Sequence, residues 1–167
     1  VLDADALTVI AGSDGAVRGS LERPIIITPH PGEMARLVGS TAADVQQRRL
    51  AVARDYAVAH HVFVVLKGYR TLVATPEGAV FINPTGNAGM ATGGTGDVLT
   101  GMIGGWLAQG LAPVHACTLA VYLHGAAGDL AAADVGEIAM TAEDVVAQLG
   151  DAVLELIAQE RREPAGA

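Results

Sequence analysis

The sequence has 167 residues, 51% apolar and 17% charged, which suits one domain with a buried core and argues against disorder. Eighteen acids against ten bases give a net charge of −8, and no basic run occurs, so a nucleic-acid groove is not expected. The single Cys117 excludes an internal disulfide and fits a reducing, cytoplasmic setting, and the most apolar region, 98–131, is broken by Gln109, Pro113, His115, His124 and Asp129, too often for a membrane span.

Read along the chain, "VLDAD" (1–5) is expected as a strand ending in acids and "ALTVIAG" (6–12) as a short helix. "PIIIT" (24–28) is a continuous apolar run, the pattern of a strand buried on both faces. "PHPGE" follows as a loop, and a helix begins at "GEMARLVG". Residues 41–60 read as one amphipathic helix, with Val45, Leu50, Val52, Tyr56 and Ala57 on its apolar face. Arg49 falls inside that apolar arc and is expected to bury its stem and reach for solvent.

"VFVVLKG" (62–68) is a second buried strand, and 71–83 reads as a hairpin turning at Pro76, Glu77 and Gly78. Helices are expected from about Asp97 to Gln109 and from about Pro113 to Ala132. A last helix, from Thr141 to about Gln159, opens with capping-box spacing between Thr141 and Asp144, and "RREPAGA" is expected to fray. Strands alternating with helices give the α/β class with a mainly parallel sheet, in one domain spanning 1–167. Ligands of such sheets bind beyond the carboxyl ends of the strands. Asp3 and Asp5, His30 to Glu33, and Lys67 to Thr71 all fall at such ends.

"GMATGGTGDVLTG" (89–101) packs five glycines into thirteen positions with one acid and no base. A phosphate loop of the G-x-x-x-x-G-K-[ST] type fails, because Thr95 stands at the lysine position. A G-x-G-x-x-G fingerprint fails at Leu99. The run still precedes a helix, whose first turn has free N–H groups and a partial positive charge, and glycines admit an anion to the backbone. Such a loop can hold a phosphoryl group without a cationic side chain. Asp97 then has two readings: an acid placed favourably on the helix dipole, or a general base for a hydroxyl attacking that group.

"LDADAL" (2–7), "TPHPGE" (28–33), "KGYRT" (67–71) and "NPTGNAGMATGGTGDVLTG" (83–101), in this order, resemble the ADP-dependent NAD(P)H-hydrate dehydratase family of the ribokinase-like superfamily. Thr95 in place of the glutamine of ATP-using relatives is similar to the bacterial branch. The resemblance implies a three-layer ribokinase-like sandwich, of which this chain is the later portion. A missing segment, or an epimerase domain, would precede it.

The activity implied is dehydration of the S form of NADHX or NADPHX to NADH or NADPH. ADP would phosphorylate the ring hydroxyl, phosphate would leave, and Mg²⁺ would neutralise charge. Asp97 is implied as catalytic and, with His30, in contact with the hydrate. Lys67, Gly68, Tyr69, Arg70, Thr71, Gly94, Thr95 and Gly96 are implied at the nucleotide, with Asn87 shaping the loop beside it. Glu33 either sits in the metal's shell or caps its own helix.

Asp3 and Asp5 face phosphate or metal, or serve the strand end. His60 and His61 are expected solvated, and His124 and Cys117 in helix packing. Gly101, Gly104 and Gly105 are expected to let their helix pack closely on a neighbour. The family tends to form homo-oligomers. A small-molecule alcohol kinase of the same superfamily, or a nucleotide-binding fragment without turnover, are the alternatives.

Overall fold

The computed structural model describes residues 1–13 and 17–162. The elements run α1 (Asp5–Ala11), β1 (Ile26–Ile27), α2 (Pro31–Val38), α3 (Ala42–Gln47), α4 (Arg49–His60), β2 (Phe63–Leu66), β3 (Leu72–Ala74) and β4 (Val80–Ile82). A 3₁₀ turn (Ala88–Met90) follows, then α5 (Thr95–Ala108), α6 (Pro113–Val135), α7 (Ala142–Ala147) and α8 (Leu149–Arg162).

The sheet has the order β1-β2-β3-β4. β1 and β2 are parallel, whereas β2–β3 and β3–β4 are antiparallel. The sheet is therefore mixed rather than mainly parallel, because three of its four strands form the antiparallel meander β2–β3–β4. The expected strand at 1–5 contributes only a parallel bridge from Leu2 to Ile27. Ala4 ends it with φ 47° and ψ −116°, a conformation L-residues rarely adopt, and α1 starts at the next residue.

Pleating sends successive side chains to opposite faces. Val64 and Leu66 of β2 pack with Leu7, Met34, Val45, Ala53 and Ala57 of α1–α4. Val65 packs with Val73, Leu99, Ile103, Cys117 and Val121 on the α5 and α6 side. A third cluster joins α6 to α7 and α8 through Leu123, Ala127, Met140, Val145 and Ala152. Helices thus cover both faces, the three-layer arrangement expected. Among the described residues no helix is long and apolar enough to cross a membrane.

Two expected helices are each two. The 41–60 helix breaks at Arg48 (φ −121°, ψ 27°), which is held by a two-pronged pairing of its guanidinium with Asp44. The break resets the helical phase, so Leu50 stands 46% exposed instead of joining the apolar face. The last helix breaks at Gln148, after a capping box in which Thr141 and Asp144 satisfy each other's backbone N–H. Arg161 and Arg162 continue α8, and the rest of the expected frayed tail lies outside the described residues.

Arg49 does not reach for solvent either. Its guanidinium turns inward and donates to the carbonyls of Leu66 (3.0 Å) and Lys67 (3.2 Å) at the end of β2. His60 stacks on Tyr56 with centroids 4.0 Å apart, and His61 closes α4 in the left-handed region.

Candidate active site

The ends of the strands and the start of α5 enclose a cleft of about 590 Å³, within the range of small-molecule sites. Its walls come from the β2–β3 turn (Lys67 to Thr71), the loop from Asn83 to Thr92, and the first turn of α5 (Thr95, Gly96). His30 closes one side, and His124 and Gly125 of α6 another.

Three of the strand-end segments meet through one ammonium. Lys67 Nζ donates to Asp3 Oδ1 at 2.8 Å and lies 3.9 Å from Glu33 Oε2. Asp3 Oδ2 accepts from Thr100 on α5 at 2.8 Å. Burial raises the Asp3 carboxyl, but hydrogen bonds from Lys67, Thr100 and Thr28, with the charge of Lys67, outweigh it and hold it below its ordinary value. Asp5 does not join this group and stands exposed at the start of α1.

His30 and Glu33 form a capping box. His30 Nδ1 accepts from Gly32 N (2.9 Å) and Glu33 N (3.3 Å), and Glu33 Oε2 accepts from His30 N at 2.7 Å. Of the two readings of Glu33, capping its own helix is realised. His30 has the imidazole in the place usually taken by a short oxygen side chain. Its Nδ1 is an acceptor here, so the ring proton sits on Nε2, 3.5 Å from Glu33 Oε1.

The glycine run divides by task. Gly94 precedes α5 with φ 91°, and a Cβ there would come within 3.0 Å of Ala142 Cβ, so both conformation and space require glycine. At Gly96 an added Cβ would lie 3.3 Å from Lys67 Nζ and 3.9 Å from Asp3 Oδ2, so the bare backbone of α5 abuts the ion pair. Val98 N is the first amide of this turn bonded within the protein, to Gly94 O at 3.1 Å. The amides of Thr95, Gly96 and Asp97 have no acceptor among the described residues. Free amides on a helix dipole, beside an ammonium, are an anion site in chemical terms.

The Thr95 side chain is turned away from that task. Its hydroxyl reaches Met90 O (2.8 Å) and Thr92 O (2.9 Å), and the residue is buried. Only its backbone N–H is left for a ligand. Asp97 is exposed in the same first turn with no bonded partner among the described residues, and neither it nor Gly94 or Glu33 forms the cleft wall itself. Tyr69 is 83% exposed at the mouth, with the Arg70 guanidinium 5.6 Å over its ring.

Asn87 ties the 83–90 loop to α6. Its side chain accepts from Gly89 N at 3.0 Å and donates to Gly128 O (2.9 Å) and Asp129 Oδ1 (3.0 Å). Asp129 also holds Gly86 N at 2.9 Å.

Sequence reasoning missed the α6 side of the site. A Cβ at Gly125 would meet Thr85 Oγ1 at 2.2 Å, and one at Gly128 would meet Met90 Sδ at 2.3 Å. These glycines seat the 83–90 loop on α6. Gly101, Gly104 and Gly105, expected to do the close packing, have nothing within 4 Å of an added Cβ. The available signal was the i, i+3 pair Gly125 and Gly128 beside His124 on one helix.

His124 is buried on α6, and its Nε2 sits 2.9 Å from Thr95 O. A carbonyl only accepts, so Nε2 carries the proton. Burial pushes this imidazole down to about 4, against a small opposing effect of the Thr95 bond. Cys117 has its thiol pushed up to about 12 by burial and plays no part in the cleft.

Among the described residues no group of three or more His, Cys, Asp or Glu could hold a metal ion. Both Asp3 oxygens are occupied, by Lys67 and Thr100, and one Glu33 oxygen by the His30 amide. Glu33 Oε1 is the remaining carboxylate oxygen of this group. This suits an ion that arrives hydrated on phosphates rather than one held in a protein cage.

The layered α/β fold with a glycine turn of free amides defines a ribokinase-like protein. The chain superposes on a ribokinase-like superfamily protein from Enterococcus faecalis with a TM-score of 0.74 at 33% identity, covering 90% of this chain and 51% of that one. A family profile for NAD(P)H-hydrate dehydratase matches residues 1–150, and the chain belongs to that family.

It is 53% identical over 146 residues to a bifunctional NAD(P)H-hydrate repair enzyme of Moorella thermoacetica, covering 87% of this chain and 27% of that protein. It is 47% identical over 132 residues to the ADP-dependent (S)-NAD(P)H-hydrate dehydratase of Neisseria meningitidis, covering 78% and 44%. It is similar, with a TM-score of 0.81 and 39% identity over 92% of this chain and 53% of that one, to the ADP/ATP-dependent NAD(P)H-hydrate dehydratase of Bacillus subtilis co-crystallised with ATP and Mg²⁺. The chain thus spans about half or less of the length of these relatives.

Proposed function

We propose that this chain carries the nucleotide and phosphoryl-transfer portion of an ADP-dependent (S)-NAD(P)H-hydrate dehydratase. One observation carries the reading: the amides of Thr95, Gly96 and Asp97 at the start of α5 have no acceptor among the described residues, Gly96 lies against Lys67, and the exposed carboxylate of Asp97 stands in the same turn. Family membership supplies the substrate class.

In this reading the β-phosphate of ADP rests on the amides of Thr95, Gly96 and Asp97. Lys67 to Thr71 and Asn87 flank the nucleotide, and His30 faces the hydrate through the Nε2 edge of its ring. The ring hydroxyl attacks the β-phosphorus, the bond to the bridging oxygen breaks, and AMP leaves. Asp97 takes the hydroxyl proton. The carbon–oxygen bond then breaks with phosphate as leaving group, and loss of a ring proton restores the dihydropyridine. Mg²⁺ would offset phosphate charge, with Glu33 Oε1, the oxygen of the Asp3–Glu33–Lys67 group without a backbone or hydroxyl partner, reaching it through water.

Lys67 acts here in two ways. It offers positive charge to the phosphates, and through Asp3 and Thr100 it fixes the strand end to α5. Because Asp3 already balances much of its charge, the amides and the metal carry most of the phosphate's neutralisation.

The test is recovery of reduced-nicotinamide absorbance from the S hydrate with Mg²⁺ and ADP, beside an ATP arm. Recovery that depends on ADP is expected. The assay is run on this chain and on the chain extended to full domain length. Absence of recovery in the extended protein overturns the reading.

A further inference from the structure

We infer that His124 is a positioning residue for the phosphate-binding turn, an inference that rests on the anion-site reading above. Three observations converge on it. His124 is buried on α6 and yet contributes to the cleft wall. Its Nε2–H is spent on one backbone carbonyl, that of Thr95, at 2.9 Å. That carbonyl belongs to the same peptide unit as the Gly96 amide, one of the three without an acceptor.

The peptide is trans, as no cis bond occurs among the described residues, so its C=O and N–H point in opposite directions. Fixing the carbonyl against α6 therefore aims the Gly96 N–H away from α6, and the Lys67–Asp3 pair lies beside the same residue, 3.3 Å and 3.9 Å from where a Gly96 Cβ would stand. The Thr95 hydroxyl, tied to Met90 O and Thr92 O, holds the preceding loop to the same point. The turn is clamped from both sides, with α6 as the fixed body. Free glycine backbone has many conformations to lose on binding. A clamp that removes them before the ligand arrives raises affinity for the phosphate and for the transferring phosphoryl group. It does nothing for the base and sugar.

The neutral ring suits this task. A charged imidazolium beside the turn would itself attract phosphate, whereas a neutral N–H only orients the peptide. A glutamine amide at position 124 can present its nitrogen in nearly the place of Nε2, and leucine cannot.

The experiment measures affinity for ADP and for adenosine by titration calorimetry, on wild type, H124L and H124Q. H124L is expected to weaken ADP by about tenfold, the scale of one lost hydrogen bond, with adenosine unchanged. H124Q is expected to stay within about twofold of wild type for both. Equal weakening of ADP and adenosine, or no weakening, or a glutamine variant as impaired as leucine, overturns the inference. Wild type binding ADP no more tightly than adenosine overturns the anion-site reading instead. If H124L does not fold, nitrogen-15 imidazole spectra of wild type decide: ADP, and not adenosine, should shift the His124 Nε2–H and Gly96 amide signals together. A ring signal indifferent to ADP overturns the inference.

Discussion

Lys67 Nζ and Asp3 Oδ1 meet at 2.8 Å across 64 residues of sequence, joining the end of β2 to the first segment of the chain. The contact lies against Gly96, so ion pair and glycine turn form one structure. Removing the ammonium leaves a largely buried carboxylate with only hydroxyl partners. Lys67→Met is therefore expected to lose about 3 kcal/mol of stability in urea titrations, the range for breaking a buried pair from one side. The depressed Asp3 carboxyl contributes stability above its ordinary value of 3.8, and that contribution is lost as pH falls through the lowered folded value. In Lys67→Met the acid limb of the stability profile should move to higher pH.

Asp97→Asn keeps the shape of the first turn of α5 and removes the proton acceptor. Turnover is expected to fall by about 10²–10⁴-fold, with ADP affinity equal or higher because a negative charge beside the phosphate is gone. The comparison needs kcat from the absorbance assay and Kd from calorimetry. Unchanged turnover would return Asp97 to the role of a dipole-complementing acid.

His124 supplies a pH dependence with a definite sign. Its imidazole is pushed down to about 4 by burial from an ordinary 6.5, so between those values the unfolded chain binds more protons than the folded one. Stability is full above pH 6.5 and declines as pH falls toward 4, by on the order of 3 kcal/mol. Thermal midpoints of wild type and H124Q between pH 4 and 8 measure it. The glutamine variant should lack this segment of the decline.

Gly125→Ala places a methyl group 2.2 Å from Thr85 Oγ1 and 2.7 Å from Thr85 C. Neither backbone can yield without moving the 83–90 loop. The expected cost is about 1–3 kcal/mol, with a loss of ADP affinity, since the loop carries Asn87 and Met90 into the cleft wall. Gly104→Ala is the control: its methyl meets nothing within 4 Å, and helix propensity favours it by about 1 kcal/mol. Chemical denaturation of the two variants should give opposite signs.

The sequence was legible where one physical rule dominated. β1 and β2 announced themselves as continuous apolar runs, and the absence of side chains in "GGTG" marked the glycine turn that opens α5. It was illegible where two rules competed. Helical periodicity through 41–60 says nothing of the Asp44–Arg48 pairing that ends α3 and starts α4 in a new phase. The excess of glycine on α5 reads as close packing, but only three-dimensional neighbours distinguish Gly104, in open space, from Gly125, under Thr85. His30 stands exposed in a loop between two prolines, and His124 lies buried on an apolar helix. The one caps a helix and the other holds a carbonyl, and no spacing separates those roles. The inward turn of Arg49 to the carbonyls of β2 depends on a strand end 17 and 18 residues away.

The three free amides at the start of α5 set apart what can and cannot be altered in this protein. Main-chain N–H groups do not titrate in the physiological range, cannot be acylated or oxidised, and survive every side-chain substitution that spares the local conformation. If these amides hold phosphate as proposed, solvent acidity, covalent modification and point mutation reach that recognition only indirectly, through the groups that hold the turn in shape. Asp97 in the same turn, the proposed proton acceptor, is a side chain and is open to change. On the proposed reading, one turn of helix places recognition in the main chain and reactivity in a replaceable residue. Relatives could diverge in chemistry at that position while keeping the same cradle.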